Sequence, residues 1–335
     1  MPAVLLAIDV GGSTSRASLI DMSGQCLGQG RNLGGNPASN TPDKAASAIV
    51  SAVEAAVAEA GAGPFDISIA LIALAGPQVH VALDRLEAAF RGFGLTGPIV
   101  FVGDVQAMFS SATATTDGYC VIAGTGAGAV RIRNGEVERV VDLAGWLAGD
   151  FGSGFWLGQQ AARAAVADLE GRGDKTALTA ALLDSFNIER RDESVLGRPA
   201  PLRLLIDSIY ATRPIELARF APLVIAHRDD PIAARLVAEA ERYLVSDFAL
   251  AFDAAVPGPI VLGGGVIAHL RGVAPGIAAI VRAAGGEPDI RVASDGSVGA
   301  AVLALRAVGV SVDEAMLSAI GMSMRQRAAK TAATA

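Results

Sequence analysis

The stretch DVGGSTSR at residues 9–16 decides the fold of this chain, because it joins two strand-like runs through a glycine-rich turn. The run before it is AVLLAID (3–9), and the run after it is TSRASLI (14–20). Strands separated by short turns predict a β-meander. A second meander begins at YCVIA (119–123) and has its own glycine turn in AGTGAGA (123–129). Two meanders with glycine at the first turn predict a duplicated domain.

The two glycine turns are also candidate phosphate sites. Glycine has no Cβ and accepts unusual backbone angles, so its backbone N–H groups can approach phosphate oxygens. In a chain with 39 glycines, one such turn alone favours an ordinary structural hairpin. Two turns at equivalent points of two meanders favour a pair of loops that hold one polyphosphate between them.

Length and charge exclude several classes of protein. The 335 residues predict two domains at ~100–200 residues each. The balance of 27 Lys and Arg against 34 Asp and Glu gives a net charge of −7, so we expect no nucleic-acid partner. The longest uncharged run, from Ile67 to Leu83, is interrupted by Pro77 and His80 and is shorter than the ~20 apolar residues of a membrane span. The N-terminus has no basic segment ahead of its apolar run, so we expect no signal peptide and a cytoplasmic protein.

Two acidic residues follow patterns that are typical of binding sites. Asp104 ends the apolar run in FVGDVQAM (101–108), which places it at the carboxyl end of a strand, where open α/β sheets bind ligands. The alternative role is an N-cap for a helix that starts at Val105. Asp150 lies in GWLAGDFGSGFWLGQQ (145–160), where glycines, an acid and aromatic rings suit a sugar pocket. The alternative is a loop that enters a helix, with Trp156 in the core.

Six motifs in order resemble those of one known family. DVGGST, GGNP, VGD, AGTGAGA, GWLAGDFGSGFW and VLGGGV resemble the N-acetylglucosamine kinase branch of the BadF/BadG/BcrA/BcrD ATPase family. The resemblance implies an α/β protein with the duplicated actin-like (ribonuclease H-like) ATPase fold, whose two lobes enclose a nucleotide and sugar cleft. The lobes would span residues 1–104 and 105–309, with a terminal helix at about 310–324 that can pack back on the first lobe.

The resemblance also implies a role for individual residues. Asp104 matches the general base and contacts the sugar, and Asp9 would hold Mg²⁺ through water. Relatives commonly have glutamate where this chain has Phe151. The implied ATP-binding residues are Asp9, Gly11, Gly12, Ser13, Thr14, Gly124, Thr125, Gly126, Gly263, Gly264, Gly265 and Val266. The other implied sugar-binding residues are Asn36, Gly145, Trp146 and Asp150.

These motifs predict an ATP- and Mg²⁺-dependent kinase that converts N-acetylglucosamine to its 6-phosphate, with a homodimer as a possible assembly. A glucosamine kinase of the same fold is the first alternative, since Phe151 replaces a charged residue beside the pocket. An activator ATPase with a shared iron–sulfur cluster is the second, but it needs paired cysteine ligands. Cys26 and Cys120 lie in predicted strands, where buried or half-buried thiols are the expected state. A sugar-sensing regulator is the third; the ATPase pattern begins within the first ten residues, so we do not expect its DNA-binding module.

Overall fold

The computed structural model describes residues 3–11, 14–33, 41–61, 65–76 and 81–334. The strands are β1 (Ala3–Val10), β2 (Thr14–Asp21), β3 (Cys26–Leu33), β4 (Asp66–Leu74), β5 (Ile99–Gly103), β6 (Gly118–Ala123), β7 (Ala127–Arg133), β8 (Glu136–Asp142), β9 (Ser194–Val195), β10 (Arg198–Pro199), β11 (Ile260–Gly263) and β12 (Ile290–Val292). The predicted meanders at the two glycine turns are therefore present, as β1–β3 and β6–β8.

Several of the helices begin after a Ser, Thr or Asp residue whose side chain caps the first turn. The helices are α1 (Pro42–Ala60), α2 (Leu83–Gly92), α3 (Asp104–Ser110), α4 (Gly154–Glu170), α5 (Ala177–Ser185), α6 (Ala200–Ala211), α7 (Ala221–Ala226), α8 (Pro231–Ala251), α9 (Val273–Ala283), α10 (Gly296–Ala307) and α11 (Glu314–Thr334). Short 3₁₀ segments span Pro214–Phe220 and Ile267–His269. At the start of α4, the Ser153 hydroxyl accepts a hydrogen bond from the backbone N–H of Trp156. None of the helices among the described residues is long and apolar enough to cross a membrane.

The first sheet has the order β3-β2-β1-β4-β5. Strand β1 pairs antiparallel with β2 and parallel with β4, and β4 pairs parallel with β5. The register sets Asp9 of β1 opposite Arg16 of β2 and Ala73 of β4. Apolar residues fill both faces of β1, since Val4, Leu6 and Ile8 pack in one cluster and alternate residues pack in another. This pattern is typical of a strand that is covered by helices on both sides.

The second sheet has the order β12-β11-β6-β7-β8, which is the order of the first sheet read from its other edge. Strand β6 takes the place of β1, and β11 takes the place of β4. Strand β11 pairs parallel with β6, as β4 does with β1. The Asn134-Gly135 turn joins β7 to β8, and both residues have positive φ, which suits a two-residue hairpin. The repeated strand order confirms the duplicated α/β fold that the motifs predict.

The chain divides into two compact units. The first contains the described residues up to Gly118, the segment Ile132–Val137 and the residues from Arg291 onward; the second contains Tyr119–Arg131 and Glu138–Ile290. Helices α3 and α10 therefore belong to the first unit, although the sequence analysis assigns them to the second lobe. The reason is that α10 packs on β1 and on α3. Its small residues allow this close approach, because alanines at 300, 301 and 304 are fully buried. The terminal helix α11 also contacts β3 in this unit.

Candidate functional site

The first unit places two acids at one edge of its sheet. Asp9 is the next-to-last residue of β1, and Asp104 follows directly after β5. Strands β1, β4 and β5 are parallel, so their carboxyl ends share that edge. Asp104 is the first residue of α3, and Gly103 takes the N-cap position, where its N–H donates to Oε1 of Gln106 at 3.1 Å. The alternative role of Asp104 as N-cap is therefore wrong, because the helix begins one residue earlier than Val105.

Burial controls the protonation of both acids. Loss of water, and then the neighbouring carboxylate of Asp295, raise the pKa of Asp9 from 3.8 to about 6. The Arg16 guanidinium opposes this change, and Asp104 adds a smaller repulsion. Burial also raises the pKa of Asp104, while the backbone N–H of Val105 opposes the rise. Both carboxylates are thus stronger bases than an ordinary aspartate.

Asp295 and Arg16 complete this acidic edge and were not predicted from the sequence. Asp295 caps α10, where its Oδ1 accepts hydrogen bonds from the Ser297 N–H at 2.9 Å and the Ser297 hydroxyl at 2.8 Å. Nη1 of Arg16 lies 3.0 Å from the same oxygen. Gly296 follows, and a Cβ at this position would come within 2.7 Å of Oδ2 of Asp9. The Asp-Gly-Ser sequence before an alanine-rich helix is an N-cap signal, but nothing local links it to Asp9.

The donor set at this edge suits a hard cation. Carboxylate oxygens are the protein ligands that Mg²⁺ prefers, and the repulsion between Asp9 and Asp295 leaves negative charge that a divalent ion would relieve. Within the described ranges, no three His, Cys, Asp or Glu side chains are arranged as a metal-binding group. A Mg²⁺ ion here would complete its coordination with water and phosphate oxygens, which is its usual behaviour at nucleotide sites.

The second unit holds the other glycine turn, between β6 and β7. The Gly124 N–H donates to the carbonyl oxygen of Gly126 at 2.9 Å, which closes the turn. The Gly154 N–H, at the start of α4, donates to the carbonyl oxygen of Gly124 at 2.7 Å. A Cβ on Gly126 would lie 2.9 Å from a carboxylate oxygen of Asp150, so only glycine leaves room for that acid. The turn, α4 and Asp150 therefore form one packed assembly.

An open cavity of about 470 Å³ adjoins this turn. Gly124 and Thr125 line one part of it, and Gly265 and Val266 line another, so two segments predicted to bind ATP meet here. The strand in the VLGGGV motif ends at Gly263, and the short 3₁₀ segment Ile267–His269 follows it. The remaining wall was not predicted, and it consists of Gly154, Ala218, Ala221, Pro222, Ile225, Ala226 and His269. Ala218 on the 3₁₀ segment Pro214–Phe220 and the wall residues on α7 are apolar, which suits the flat face of a nucleobase.

The loop at residues 143–152, which we call the acceptor loop, carries the predicted sugar residues of this unit. Asp150 is 6% exposed, and its Oδ1 accepts a hydrogen bond from the Ala127 N–H at 3.2 Å. Burial raises the pKa of Asp150, the Ala127 and Gly145 N–H groups lower it, and the Asp142 carboxylate raises it. Trp146 is 39% exposed, and its ring packs on Phe155 with 5.5 Å between centroids. The acceptor loop therefore carries both an exposed aromatic ring and a buried acid, which are side-chain types that line small-molecule pockets.

The aromatic residues behind the acceptor loop separate into core and surface. Trp156 is 7% exposed and packs edge-on against Tyr243 at 5.6 Å, so its predicted place in the core is confirmed. Phe151 is 43% exposed and also packs against Tyr243, with 5.1 Å between ring centroids. Phe151, where the resemblance implies a glutamate, therefore makes an apolar contact with Tyr243.

Two further acids near the acceptor loop were missed by the sequence analysis. Asp142 accepts hydrogen bonds from loop N–H groups, and Asp247 lies on α8. Burial first, and then repulsion from Asp142, raise the pKa of Asp247 to about 7. Its Oδ2 is buried without a hydrogen-bond partner. Neither residue belongs to a recognisable motif, so no local signal could have found them.

The structure thus groups the predicted residues in two sets. Asp9, Gly11, Thr14 and Asp104 lie in the first unit, and Gly11 donates its N–H to the carbonyl oxygen of Thr14 at 2.9 Å. The set in the second unit comprises Gly124, Thr125, Gly126, Gly145, Trp146, Asp150, Gly263, Gly264, Gly265 and Val266. Three predicted residues, Gly12, Ser13 and Asn36, lie outside the described residues.

Comparison with known proteins gives one family and several relatives. The model of the BadF/BadG/BcrA/BcrD ATPase family matches residues 6–304. A curated relative, the N-acetylmuramic acid/N-acetylglucosamine kinase of Clostridium acetobutylicum, is 25% identical over 193 residues, which is 57% of this chain and 62% of that protein. The chain therefore matches less than two thirds of that relative's length.

Two solved structures share the fold. A candidate N-acetylglucosamine kinase from Chromobacterium violaceum superimposes with a TM-score of 0.70 at 26% identity, over 90% of this chain and 98% of that one. A ROK family glucokinase from Streptomyces griseus, solved with glucose and AMPPNP, superimposes with a TM-score of 0.52 at 21% identity, over 90% and 99% of the chains. The second likeness concerns the fold alone.

Proposed function

We propose, because this chain belongs to the BadF/BadG/BcrA/BcrD ATPase family, that it transfers the γ-phosphoryl group of ATP to the 6-hydroxyl of N-acetylglucosamine. The observation that carries the proposal is the cavity of the second unit, where the glycine turn and the VLGGGV segment meet beside apolar walls. Backbone groups of a glycine turn suit phosphates, and an apolar wall suits a base, so the two together suit ATP.

Asp104 is the proposed general base. In the transfer, the sugar O6–P bond forms, the bond from the γ-phosphorus to ADP breaks, and the hydroxyl proton moves to the Asp104 carboxylate. Burial raises the pKa of this carboxyl, so its anion accepts a proton more readily than an exposed aspartate does. A positioned base contributes about 10²–10⁴-fold to the rate.

Asp9 is the proposed holder of Mg²⁺, through water. When bound, Mg²⁺ neutralises charge on the phosphate oxygens. The pKa of Asp9, about 6, leaves its carboxylate ionised at neutral pH, so it can accept hydrogen bonds from the water molecules of a bound cation. Arg16 and the first turn of α10 hold Asp295 beside it, so the negative charge of this edge is fixed in place.

The residues of the acceptor loop favour an amino sugar that carries no carboxylate of its own. Asp150 offers a buried acceptor for sugar hydroxyls, and Trp146 offers an exposed ring for an apolar sugar face. The Asp142 and Asp150 carboxylates make the loop negative, which supports N-acetylglucosamine, or glucosamine as the alternative, over N-acetylmuramic acid with its own carboxylate. The expected homodimer, and the expected lack of nucleic-acid and membrane partners, stay predictions.

A coupled ADP-release assay with these three amino sugars and glucose tests the proposal. We expect N-acetylglucosamine to exceed glucose by at least about tenfold in kcat/KM, which equals ~1.4 kcal/mol at the transition state. Phosphorus–proton correlation NMR of the product should show phosphate on the 6-oxygen. The Asp104→Asn protein, purified in parallel, controls for contaminating kinases. Absence of turnover with every sugar would overturn the proposal.

The activator ATPase alternative receives no support from the cysteines. Cys26 in β3 and Cys120 in β6 are both buried, as the sequence analysis expects. Burial raises the pKa of the Cys26 thiol to about 11, so it stays protonated at neutral pH. A cluster ligand must be a thiolate, so the Cys26 position does not suit iron–sulfur coordination.

A further inference from the structure

We propose that Asp142 is a positioning residue of the acceptor loop. It accepts hydrogen bonds from backbone N–H groups of the loop and thereby orients Asp150 toward the sugar. The proposal rests on the proposed function, because it assigns a role in binding the acceptor. Asp142 is the last residue of β8, so the sheet supports one end of the contact and the loop forms the other.

Both oxygens of the Asp142 carboxylate bind the loop. Oδ1 accepts a hydrogen bond from the Asp150 N–H at 2.7 Å, and Oδ2 accepts one from the Phe151 N–H at 2.9 Å. Oδ1 also receives the Ala144 N–H at 3.4 Å, at the other end of the loop. Hydrogen bonds to an ionised acceptor are about twice as strong as neutral ones, so one side chain closes the loop at both ends.

The local backbone depends on this contact. Asp142, Leu143 and Asp150 all have φ between 55° and 60°, the left-handed region that residues other than glycine seldom adopt. Such angles persist only where the surroundings determine them. At Gly149, an added Cβ would collide with Oδ1 of Asp142, so the loop is shaped around the carboxylate.

The carboxylate has an electrostatic cost that a simple structural anchor would avoid. Asp142 carries like charge toward both Asp150 and Asp247, and it raises the pKa of each. A neutral acceptor would avoid that repulsion, but it could not accept two neighbouring N–H groups with two equivalent oxygens. The geometry therefore ties Asp142 to the orientation of Asp150, whose own carboxylate must stay available for the acceptor.

The Asp142→Asn variant tests this role, because asparagine keeps the shape and tolerates left-handed φ. Whichever way its amide turns, its NH₂ group faces the N–H of either Asp150 or Phe151, so one of the two bonds is lost. We expect the KM for N-acetylglucosamine to rise about tenfold, while the KM for ATP stays within twofold of wild type. Hydrogen exchange of the peptide that covers residues 143–152 should become faster in the same variant.

Asp247→Asn is the matched control, since it removes a carboxylate near Asp142 and makes no contact with the loop N–H groups. We expect its KM for both substrates to stay within twofold. Gly149→Ala is a second route to the same effect, because its Cβ displaces the Asp142 carboxylate; it decides the question by the same criteria where Asp142→Asn fails to fold.

Two outcomes separate the possible failures. An unchanged sugar KM in Asp142→Asn, in a wild-type protein that phosphorylates the sugar, overturns the positioning role alone. A wild-type protein that phosphorylates no amino sugar overturns the proposed function and the role of Asp142 together.

Discussion

The two five-stranded sheets share one strand order but differ in the residues at the carboxyl ends of their parallel strands. In the first sheet, β1 ends beside Asp9 and β5 is followed by Asp104. In the second sheet, β6 is followed by Gly124, and β11 ends at Gly263. The repeated topology thus supplies charged groups in one unit and backbone groups with open space in the other. A duplicated fold sets where a site can lie, and the side chains at the strand ends decide what it does.

Removing the charge that follows β5 is the most direct test of this difference between the units. Asp104→Asn should lower kcat by about 10²–10⁴-fold, because only the proton acceptor is lost. Binding of a non-hydrolysable ATP analogue, measured by calorimetry, and the Tm should stay close to wild type. A variant with more than half of the wild-type kcat would remove Asp104 from the chemistry.

Substitution of Asp150 in the second unit should weaken sugar binding rather than slow the transfer step. Asp150→Asn tolerates the φ of 60° at this position and keeps an oxygen for the Ala127 N–H, but it removes the charge. We expect the KM for N-acetylglucosamine to rise about 5- to 100-fold, since each sugar hydroxyl left unpaired costs about 1–3 kcal/mol. Steady-state kinetics with ATP at saturation checks this. An equal loss in kcat with no change in KM would contradict the division of roles between the units.

Filling the cavity of the second unit tests whether the base of ATP binds there. Ala226 lies on its rim and is exposed, so Ala226→Leu adds volume without disturbing the core. We expect the KM for ATP to rise about tenfold and the sugar KM to stay unchanged, because the added side chain competes with the base for space. Ala249→Leu is the matched control. Ala249 is an exposed alanine on α8 that does not line the cavity, so this variant should leave both KM values unchanged. An unaltered KM for ATP in Ala226→Leu would show that the base binds elsewhere.

The smallest expected effect concerns stability and pH. In the unfolded chain, an aspartate titrates near ~3.9, whereas burial and Asp142 hold the pKa of Asp247 at about 7 in the folded protein. The folded state therefore binds the extra proton between these values, and the free energy of unfolding falls as pH rises through this window. Asp247→Asn should remove this part of the decline. Thermal unfolding at pH 5 and pH 8 should show a smaller difference in Tm for the variant, and an identical difference would refute the assignment.

Local patterns were enough to predict most of the architecture. The two meanders, the glycine turns and the place of Asp104 after an apolar strand all follow from residues adjacent in sequence. The predicted lobe boundaries place α10 in the second lobe, whereas it packs on β1 and α3 of the first unit, because an alanine-rich helix carries no local signal for the sheet that it covers. The strand in VLGGGV is likewise shorter than its apolar run suggests, because Gly264 has a φ of 100° and leaves the strand.

By itself the sequence determined the order of elements, the glycine turns and the identity of the acids at the strand ends, because each of these is signalled by residues that are adjacent in the chain. Tertiary structure alone decided which acids lie close to one another. Arg16 reaches Asp295 across 279 residues of chain, and through that contact Asp9 gains a neighbour that raises its pKa. In the second unit, Asp142 closes the acceptor loop and faces Asp247 on α8. Desolvation and charge repulsion depend on distance in space, and a linear pattern of residues does not contain that distance.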